Sequence, residues 1–508
     1  MKRKKELIVI LSSLLVIVLS VSVAYFTTKI LGTGKEISVE SADLKVIFTS
    51  GSGTINGTNI EPGWTSGENT FTVKNESNGT YKYNIIIKDL VNTFVTTGFL
   101  QYKITSADGG YNMTEFVDVP KSNTARDTVL AFNISIDKGA THTYKVEIKY
   151  LESKDVDQSA DMGKMLSGKI FIEDKFKGGT LSEAIIYYNP TISTRNDFSA
   201  PFTTNTANTL YKATENGTDV YYFAGQDTTS TPINNWVKFG KNSSNQDLYW
   251  RIIRTNSDGS IRLLYHGTST TATDAYIGTS AFNTNFDSSK YVGYMYGDTD
   301  ATLEEARTNT NNSTIKTAID NWYANNMTSY TKYLSTTAVY CNDRELASGA
   351  TYSTTEGFYF KAYDRLYTNK TPTYDCTNNN DKFTVDASTG NGKLTYPIAL
   401  MTADEIAYAG GVAYENAPMW YYTNSSLESS TGGTYWWSLS PSNLGGLGAS
   451  SWFVGNVDDS NAPSTLSSFI ISVSLGVRPA VSLKACVQWK SGDGTANSPY
   501  EIAENGGC

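Results

Sequence analysis

Apolar and polar residues alternate in short runs between residues 37 and 174. Tyr81, Tyr83 and Ile85 share one face of such a run, and Tyr144–Tyr150 repeats the same period of two. This period is typical of a strand that buries one of its faces. Because about seven runs are separated by glycine and asparagine turns, the pattern predicts an all-β sandwich over residues 25–175.

From residue 218 onward strands and helices are mixed, and the first clear element is a hairpin. The apolar runs 248–255 and 260–266 flank Asp258-Gly259, a dipeptide that favours a tight turn between antiparallel strands. Trp250 lies on the first of these runs, and we expect it to pack in the core.

Two helices are predicted farther along. The stripe Ile315–Tyr323 has helical spacing, includes Trp322 and is expected to face the core. Thr402-Ala403-Asp404-Glu405 is a capping-box sequence at the start of a second helix. Its two acidic residues are better interpreted as cap and dipole residues than as an acid/base pair. This mixture of strands and helices predicts an α+β domain over residues 218–508.

Two apolar runs near the C-terminus bracket a long polar loop. Tyr435–Ser442 contains Trp436 and Trp437, and Gly476–Leu483 contains Arg478. We interpret both runs as core strands, with the tryptophans buried and the arginine in a structural role. A loop held between rigid strands is a common place for binding residues.

The bracketed loop supplies the candidate ligand residues. An aromatic side chain there stands beside small polar groups that can hydrogen-bond a sugar or a protein. The candidates are Trp452, Asn456, Asp458, Asp459, Ser460 and Asn461. Oxygen atoms over 456–461 could bind calcium, although their spacing matches no known calcium loop. An ordinary solvated turn is the alternative interpretation of each candidate.

Residues 176–217 differ in composition from the segments on either side. Thr180-Leu181-Ser182-Glu183 is another capping-box sequence and predicts a short helix, which Asn189-Pro190 ends. The threonine- and asparagine-rich stretch that follows is typical of a linker. A rigid spacer and a disordered tether are both compatible with it.

Composition narrows the function classes. The chain has 508 residues, of which 18% are charged and 34 are tyrosine, and its formal net charge is −9. An acidic chain without a basic patch beyond the N-terminus is not expected to bind nucleic acid. Since His142 and His266 are the only histidines, a multi-histidine metal site is excluded. We expect His142 at the surface, and no catalytic constellation is recognisable.

The N-terminus has the pattern of an export signal. Lys2–Lys5 precede an apolar run over residues 7–26, and Ser22-Val23-Ala24 places small residues where signal peptidase cleaves. We expect cleavage after Ala24. An uncleaved membrane anchor is the alternative, because the run is nearly long enough to span a bilayer. In either case the rest of the chain is expected to be exported.

All four cysteines lie in the C-terminal third of the chain. An even number of cysteines in an exported protein indicates disulfides. Pairing of nearest neighbours gives Cys341–Cys376 and Cys486–Cys508, and free thiols are the alternative. No Cys-x-x-Cys spacing occurs, so we do not expect the cysteines to bind a metal.

The N-terminal part of the chain resembles a known family. Ser22-Val23-Ala24-Tyr25-Phe26-Thr27, Glu61-Pro62-Gly63 and Ser167-Gly168-Lys169-Ile170 are similar to segments of the TasA/camelysin family of biofilm-matrix proteins. The resemblance implies an exported jelly-roll sandwich. It also implies that such a domain can assemble by donating a strand to an unpaired edge of a neighbour.

The C-terminal part resembles a domain of unknown function that recurs in Gram-positive surface proteins. The similar segments include Trp250-Arg251-Ile252-Ile253, Cys341-Asn342-Asp343-Arg344, Trp437-Ser438-Leu439-Ser440-Pro441-Ser442 and Gly476-Val477-Arg478-Pro479. The last two also resemble the C-type-lectin-like fold of formylglycine-generating enzymes and variable receptors. The catalytic cysteines of those enzymes have no counterpart here, and neither do the calcium motifs of sugar-binding lectins.

Together these features predict an exported cell-surface or biofilm-matrix adhesin. In this hypothesis a sandwich stalk presents a lectin-like domain to a glycan or protein ligand, with calcium as the one cofactor considered. Two alternatives stay open: a structural matrix or fibre component that self-assembles through the sandwich, and an enzyme that acts on surface polymers. Contact with a membrane is expected only through the N-terminal segment.

Overall fold

A computed structural model describes residues 36–38, 44–50, 54–57, 60–66, 69–77, 79–173, 179–203, 207–416, 418–455, 465–504 and 508. The chain divides into two compact units, Met1–Lys177 and Gly178–Cys508. Both units consist mainly of β-strands arranged in several sheets, with few helices.

The first unit contains two antiparallel sheets. Its described strands are β1 (Glu36–Ser38), β2 (Leu44–Ser50), β3 (Thr54–Gly57), β4 (Asn69–Asn75), β5 (Tyr81–Asn92), β6 (Leu100–Ser106), β7 (Val117–Asp118), β8 (Ser122–Ile136), β9 (Thr141–Tyr150) and β10 (Leu166–Glu173). One sheet has the order β1-β2-β4-β9-β6-β7, and the other has the order β3-β10-β5-β8.

The two sheets of the first unit share one apolar core. Tyr144, Val146 and Ile148 of β9 are buried and alternate with more exposed residues. Ile85 and Ile87 of β5, in the other sheet, belong to the same buried cluster. Two sheets that each bury one face against a common core form a β-sandwich.

His142 lies inside this unit, so its expected surface position is wrong. The alternation of β9 places residue 142 on the same face as Tyr144, and the side chain is buried. Its Nδ1 lies 2.8 Å from the hydroxyl of Tyr83, and that hydroxyl lies 2.6 Å from the hydroxyl of Tyr144. Burial lowers the pKa of His142, so the imidazole is neutral at pH 7.

The second unit contains more and shorter elements. Its described strands are β11 (Thr191–Thr194), β12 (Thr209–Glu215), β13 (Thr218–Tyr222), β14 (Trp236–Lys241), β15 (Asp247–Thr255), β16 (Ile261–Tyr265), β17 (Thr279–Ser280), β18 (Met295–Tyr296), β19 (Asn311–Asn312), β20 (Tyr340–Cys341), β21 (Phe358–Tyr359), β22 (Lys382–Phe383), β23 (Ile398–Leu400), β24 (Trp436–Gly445), β25 (Gly448–Gly455), β26 (Thr465–Ile470), β27 (Leu475–Gly476), β28 (Pro479–Leu483), β29 (Trp489–Ser491) and β30 (Tyr500–Ile502). Its α-helices are α1 (Leu181–Tyr188), α2 (Leu303–Ala306), α3 (Thr314–Asn326), α4 (Lys361–Tyr363) and α5 (Ala403–Tyr408).

The larger sheet of the second unit has ten described strands. Its main path is β11-β12-β13-β15-β14-β30-β29, and β16, β28 and β23 branch from β15. The predicted hairpin is present, because β15 and β16 pair in antiparallel register around the Asp258-Gly259 turn. Gly259 has a φ of 78° there, a backbone conformation that favours glycine.

Residues 176–217, predicted as a linker, pack into the second unit wherever the structure describes them. The short helix α1 begins at the predicted capping box, in which Thr180 Oγ1 accepts from the Glu183 amide at 3.2 Å. After it, β11 and β12 pair in parallel and join the large sheet. Threonine is common both in linkers and in strands, so composition alone does not separate the two.

The smaller sheet of the second unit contains the first of the two C-terminal apolar runs. β24 pairs with β25, and β25 pairs with β26. Trp436 and Trp437 of β24 are fully buried, as is Trp250 of the larger sheet. Trp322 of α3 is partly buried and packs edge-on against Tyr265, with ring centroids 5.4 Å apart.

The second apolar run is divided between the two sheets. β27 ends at Gly476, which pairs with Trp436, whereas β28 begins at Pro479 in the larger sheet. Arg478 lies between them, fully buried, and donates from Nε and Nη2 to the carbonyl of Tyr265 at 3.2 and 3.1 Å. Its guanidinium also lies 4.9 Å from the centroid of the Trp436 ring. Arg478 therefore connects the two sheets.

Both predicted disulfides are present, joining Cys341 to Cys376 and Cys486 to Cys508. Among the helices that the structure describes, none is long and apolar enough to cross a membrane. The N-terminal apolar run and the predicted cleavage position Ala24 lie outside the described residues.

Candidate functional site

Of the six candidate ligand residues, Trp452 alone has a position that the structure describes. Trp452 of β25 is fully buried, and so it is not the exposed contact that its polar neighbours suggested. β25 lies between β24 and β26, and its last five residues are all buried, so both of its faces are covered. The other candidates lie outside the described residues. They are Asn456, Asp458, Asp459, Ser460 and Asn461.

A group of solvent-facing tyrosines lies above Trp452. Tyr359, Tyr367 and Tyr414 are 44%, 45% and 38% exposed, and Tyr363 between them is partly buried. We call these four residues the tyrosine surface. Large exposed aromatic side chains that cluster on one face are typical of binding sites.

The rings of the tyrosine surface touch one another in series. Tyr359 stacks on Tyr363 with centroids 3.9 Å apart and planes inclined by 28°. Tyr363 and Tyr367 are 5.0 Å apart, and Tyr367 meets Tyr414 edge-on at 5.4 Å. Trp452 lies beneath the group, with its ring centroid 5.8 Å from that of Tyr414 and 6.4 Å from that of Tyr363. The buried indole therefore supports the exposed rings.

Local backbone structure places three of these tyrosines in a row. Tyr359 ends β21, where Phe358 points inward and Tyr359 points outward. The chain then enters α4 and continues as a π-helical turn over Asp364–Thr368. Residues four apart lie on the same face of a helix, and so Tyr363 and Tyr367 are neighbours. A π-turn is rare and often occurs at functional sites.

An arginine in the π-turn anchors it to the interior. Arg365 Nε and Nη2 donate to the two carboxylate oxygens of Asp404 at 2.9 and 2.8 Å, and Nη1 lies 2.6 Å from Asp343. All three side chains are largely buried. The pairing fixes the orientation of the turn from which Tyr363 and Tyr367 project.

Tyr414 reaches the surface from a separate segment. α5 ends at Tyr408, and Tyr414 follows six residues later with a φ of 64°, an uncommon conformation for a large side chain. Its amide donates to the carbonyl of Leu466 at 2.8 Å, and this bond holds the segment against β26. Strained backbone of this kind persists where the surroundings enforce it.

The hydroxyls of Tyr363 and Tyr414 remain protonated near neutral pH. Burial, together with the neighbouring hydroxyls of Tyr363, Tyr359 and Tyr367, raises the pKa of Tyr414 to about 12. Burial and the hydroxyls of Tyr359 and Tyr367 also raise the pKa of Tyr363. These phenols are therefore neutral groups that can both donate and accept a hydrogen bond.

An open cleft of about 640 Å³ continues from the tyrosine surface. Its lining combines aromatic rings with polar backbone and hydroxyl groups, and it shares Tyr359 and Tyr363 with the tyrosine surface. The remaining wall comes mainly from the loop 347–357. The cleft therefore extends the site beyond the four rings.

The second unit also contains an enclosed space among ionisable groups. It measures about 20 Å³ and lies between Arg254, Arg262 and Glu405. Glu405 Oε1 is 2.9 Å from Arg254 Nε and 2.8 Å from Arg262 Nη1. Such a space has room for about one water molecule, so it cannot admit a substrate. Glu405 also accepts the Thr402 amide at 2.9 Å, as the capping box predicts.

No group of three or more His, Cys, Asp or Glu side chains able to hold a metal ion occurs in the described part of the chain. The segment 456–461, considered for calcium, lies outside that part.

Comparison of the chain with protein-family models, with curated proteins and with solved structures finds no match. The resemblances to the TasA/camelysin family and to the C-type-lectin-like fold therefore stay predictions.

The sequence contains a signal for the tyrosine surface. Tyr359, Tyr363 and Tyr367 recur at intervals of four, the spacing of one helix face. The apolar neighbours Phe358, Phe360 and Leu366 suggest a buried segment instead, so the spacing alone does not indicate an exposed surface. Tyr414 has no such signal, since only the fold brings it to the other three.

Proposed function

We propose that this chain is an exported cell-surface or biofilm-matrix-associated binding protein. In this account the first unit is a jelly-roll sandwich that acts as a stalk. The second unit is a recognition domain of C-type-lectin-like character that binds a glycan or protein on another surface. The tyrosine surface is the single observation that carries the proposal.

Exposed aromatic rings favour binding for a physical reason. Tyrosine offers a large, rigid contact area with few rotatable bonds, so little conformational entropy is lost when a ligand covers it. The rings of Tyr359, Tyr367 and Tyr414 expose apolar area that a ligand can remove from water. Trp452, Arg365 and the capped helix α5 hold these rings in place before any ligand arrives. Preorganisation of this kind increases affinity.

The disulfides support the export part of the proposal. Stable disulfides are typical of secreted and surface proteins, because the cytosol keeps thiols reduced. Cys341–Cys376 and Cys486–Cys508 both fit that environment.

A second candidate function is that of a structural matrix component. β8 is 15 residues long and stands at the end of its sheet, where the described pairing involves β5 alone. A long edge strand is a template for pairing with another chain. Fibre formation by the full chain, seen by electron microscopy, would favour this function.

The proposed function is tested by adherence of the purified full chain to surfaces coated with polysaccharides or with extracellular proteins. A double variant, Tyr359→Ala with Tyr367→Ala, removes two exposed rings. Tyr111→Ala is the matched control, because Tyr111 is 38% exposed and belongs to the first unit. We expect adherence to at least one coating that the double variant loses and the control keeps. Adherence that is absent, or equal in all three proteins, contradicts the proposal.

A further inference from the structure

We propose that the tyrosine surface binds an extended, uncharged polysaccharide, whose sugar rings lie against the tyrosine rings. This inference rests on the proposed function and specifies the ligand class of the same site. Four properties of the described residues support it: the ring faces, the phenol hydroxyls, the nearby charges and the continuity with the cleft.

The ring faces match the apolar side of a sugar. One face of a pyranose ring presents C–H bonds, whose hydrogens carry a small positive charge. The face of an aromatic ring is the negative side of its quadrupole, so the two surfaces attract each other. Tyr359 and Tyr367 are 44% and 45% exposed, which leaves area for such a contact.

The hydroxyls match the polar edge of the same sugar. The four phenols lie close together, because their rings contact one another in series. Each can donate one hydrogen bond and accept another, as sugar hydroxyls also do. A ligand with many hydroxyls can satisfy these groups, whereas an aliphatic ligand would bury them without partners at a cost in free energy.

Charges of both signs lie beside the rings. Asp364 adjoins Tyr363, and its carboxylate accepts from the Ser348 amide at 2.6 Å. Lys370 Nζ lies 5.5 Å from the centroid of the Tyr367 ring. Glu356 also lines the cleft, so the site has no excess of positive charge to attract a polyanion. An uncharged ligand fits this arrangement.

The arrangement of the rings also favours a polysaccharide over a single sugar. Successive centroids from Tyr363 through Tyr367 to Tyr414 are 5.0 and 5.4 Å apart, so several rings follow one another along the surface. The cleft shares Tyr359 and Tyr363 and extends the contact area further. A polymer that covers the rings and enters the cleft gains contacts in both places.

Affinity electrophoresis of the full chain tests the ligand class. The protein migrates through gels that contain a soluble neutral polysaccharide (a β-glucan, a mannan or a xylan) or an acidic one (alginate or polygalacturonate). We expect retardation in at least one neutral gel and weaker retardation in both acidic gels. Tyr359→Ala and Tyr367→Ala should each weaken the apparent affinity about tenfold, the effect of losing an aromatic hot spot.

Substitutions by phenylalanine separate ring contacts from hydroxyl contacts. Tyr359→Phe and Tyr367→Phe keep the ring and should lose less affinity than the alanine variants. Tyr111→Ala, outside the site, should migrate like the unchanged protein. An unchanged affinity in the alanine variants overturns the inference, and so does retardation confined to the acidic gels or absent from all gels.

The adherence assay distinguishes a failure of the proposed ligand class from a failure of the proposed function. If the full chain adheres only to protein coatings and the double variant loses that adherence, the ligand class is wrong and the proposed function stands. If no coating gives tyrosine-dependent adherence, the proposed function itself fails.

Discussion

Arg365 and Asp404 join the two segments that build the tyrosine surface. Both carboxylate oxygens of Asp404 accept from Arg365, at 2.9 and 2.8 Å. Arg365 lies in the turn that carries Tyr367 and directly follows Tyr363, whereas Asp404 lies in α5, the helix that precedes Tyr414. One buried ion pair therefore sets the relative position of tyrosines that are far apart in the chain.

Loss of this pair should disturb both stability and binding. Arg365→Ala leaves Asp343 and Asp404 buried without their cation, and we expect it to destabilise the second unit by about 3 kcal/mol. Chemical unfolding followed by tryptophan fluorescence measures the effect, because all tryptophans except Trp64 belong to this unit. Lys361→Ala is the control: its exposed ion pair with Glu345 should contribute at most about 1 kcal/mol. Equal effects of the two substitutions would show that the Arg365 pairing does not anchor the turn.

The two disulfides should differ in their effect on binding. Cys341–Cys376 closes a loop with a sequence separation of 35, and this loop contains Tyr359, Tyr363 and Tyr367. Replacing both of its cysteines by serine should lower stability by about 3–4 kcal/mol and weaken ligand binding. The same exchange at Cys486–Cys508, which ties the chain end, should lower stability and leave the affinity of the folded protein unchanged. An equal loss of affinity in both variants contradicts this assignment.

Arg478 should be among the most sensitive positions of the second unit. Besides the Tyr265 carbonyl it contacts the carbonyl of Tyr421, and it is fully buried. Arg478→Met fills similar space and leaves these carbonyls without a donor, which should cost about 2 kcal/mol or more in the free energy of unfolding. Lys490→Met, at an exposed position, should change it by about 0.5 kcal/mol or less. Similar unfolding midpoints for the two variants would contradict a linking role for Arg478.

Stability should fall in acid because of two buried glutamates. Burial opposes ionisation of Glu405, but Arg262 and Arg254 outweigh it and hold the pKa below its ordinary value. The pKa of Glu215 is likewise lowered, since Arg254 outweighs the burial of that carboxyl. A depressed folded-state pKa means that the unfolded chain binds protons first. The stabilisation is therefore complete above a pH of about 4.5 and is lost as the pH falls below it.

Glu405→Gln tests this pH dependence while keeping the size of the side chain and its acceptor for Thr402. The variant should be less stable than the unchanged protein at pH 7, because Arg254 and Arg262 lose a shared partner. Its unfolding midpoint should also fall less steeply between pH 5 and pH 3. A parallel pH profile for both proteins would mean that other groups control acid unfolding.

The elements that sequence reasoning predicted well are those with strong local signals. The hairpin at Asp258-Gly259, the capping boxes at Thr180 and Thr402 and the nearest-neighbour disulfides all depend on residues close in the chain. Alternation likewise predicted the sandwich of the first unit. The same alternation places His142 on the inward face with Tyr144, although a histidine by itself suggests a surface position.

The candidate site was harder to predict because long-range packing forms it. Trp452 stands among small polar residues, yet strands on both sides bury it. Tyr414 is placed beside its neighbours by α5, by the Arg365–Asp404 pair and by its own bond to Leu466, and two of these contacts join residues far apart in the chain. Residues 191–194 and 209–215 have a composition shared by linkers and strands, so only their pairing reveals the sheet.

Hydroxyl-radical footprinting of the full chain tests the central claim most directly. The chain is oxidised alone and with the neutral polysaccharide that retards it most in the gels, and mass spectrometry gives the oxidation rate of each tyrosine. The account predicts that the ligand slows oxidation of Tyr359, Tyr367 and Tyr414 and leaves the rate at Tyr111 unchanged. Unchanged rates at the first three tyrosines, with protection elsewhere or nowhere, would contradict it.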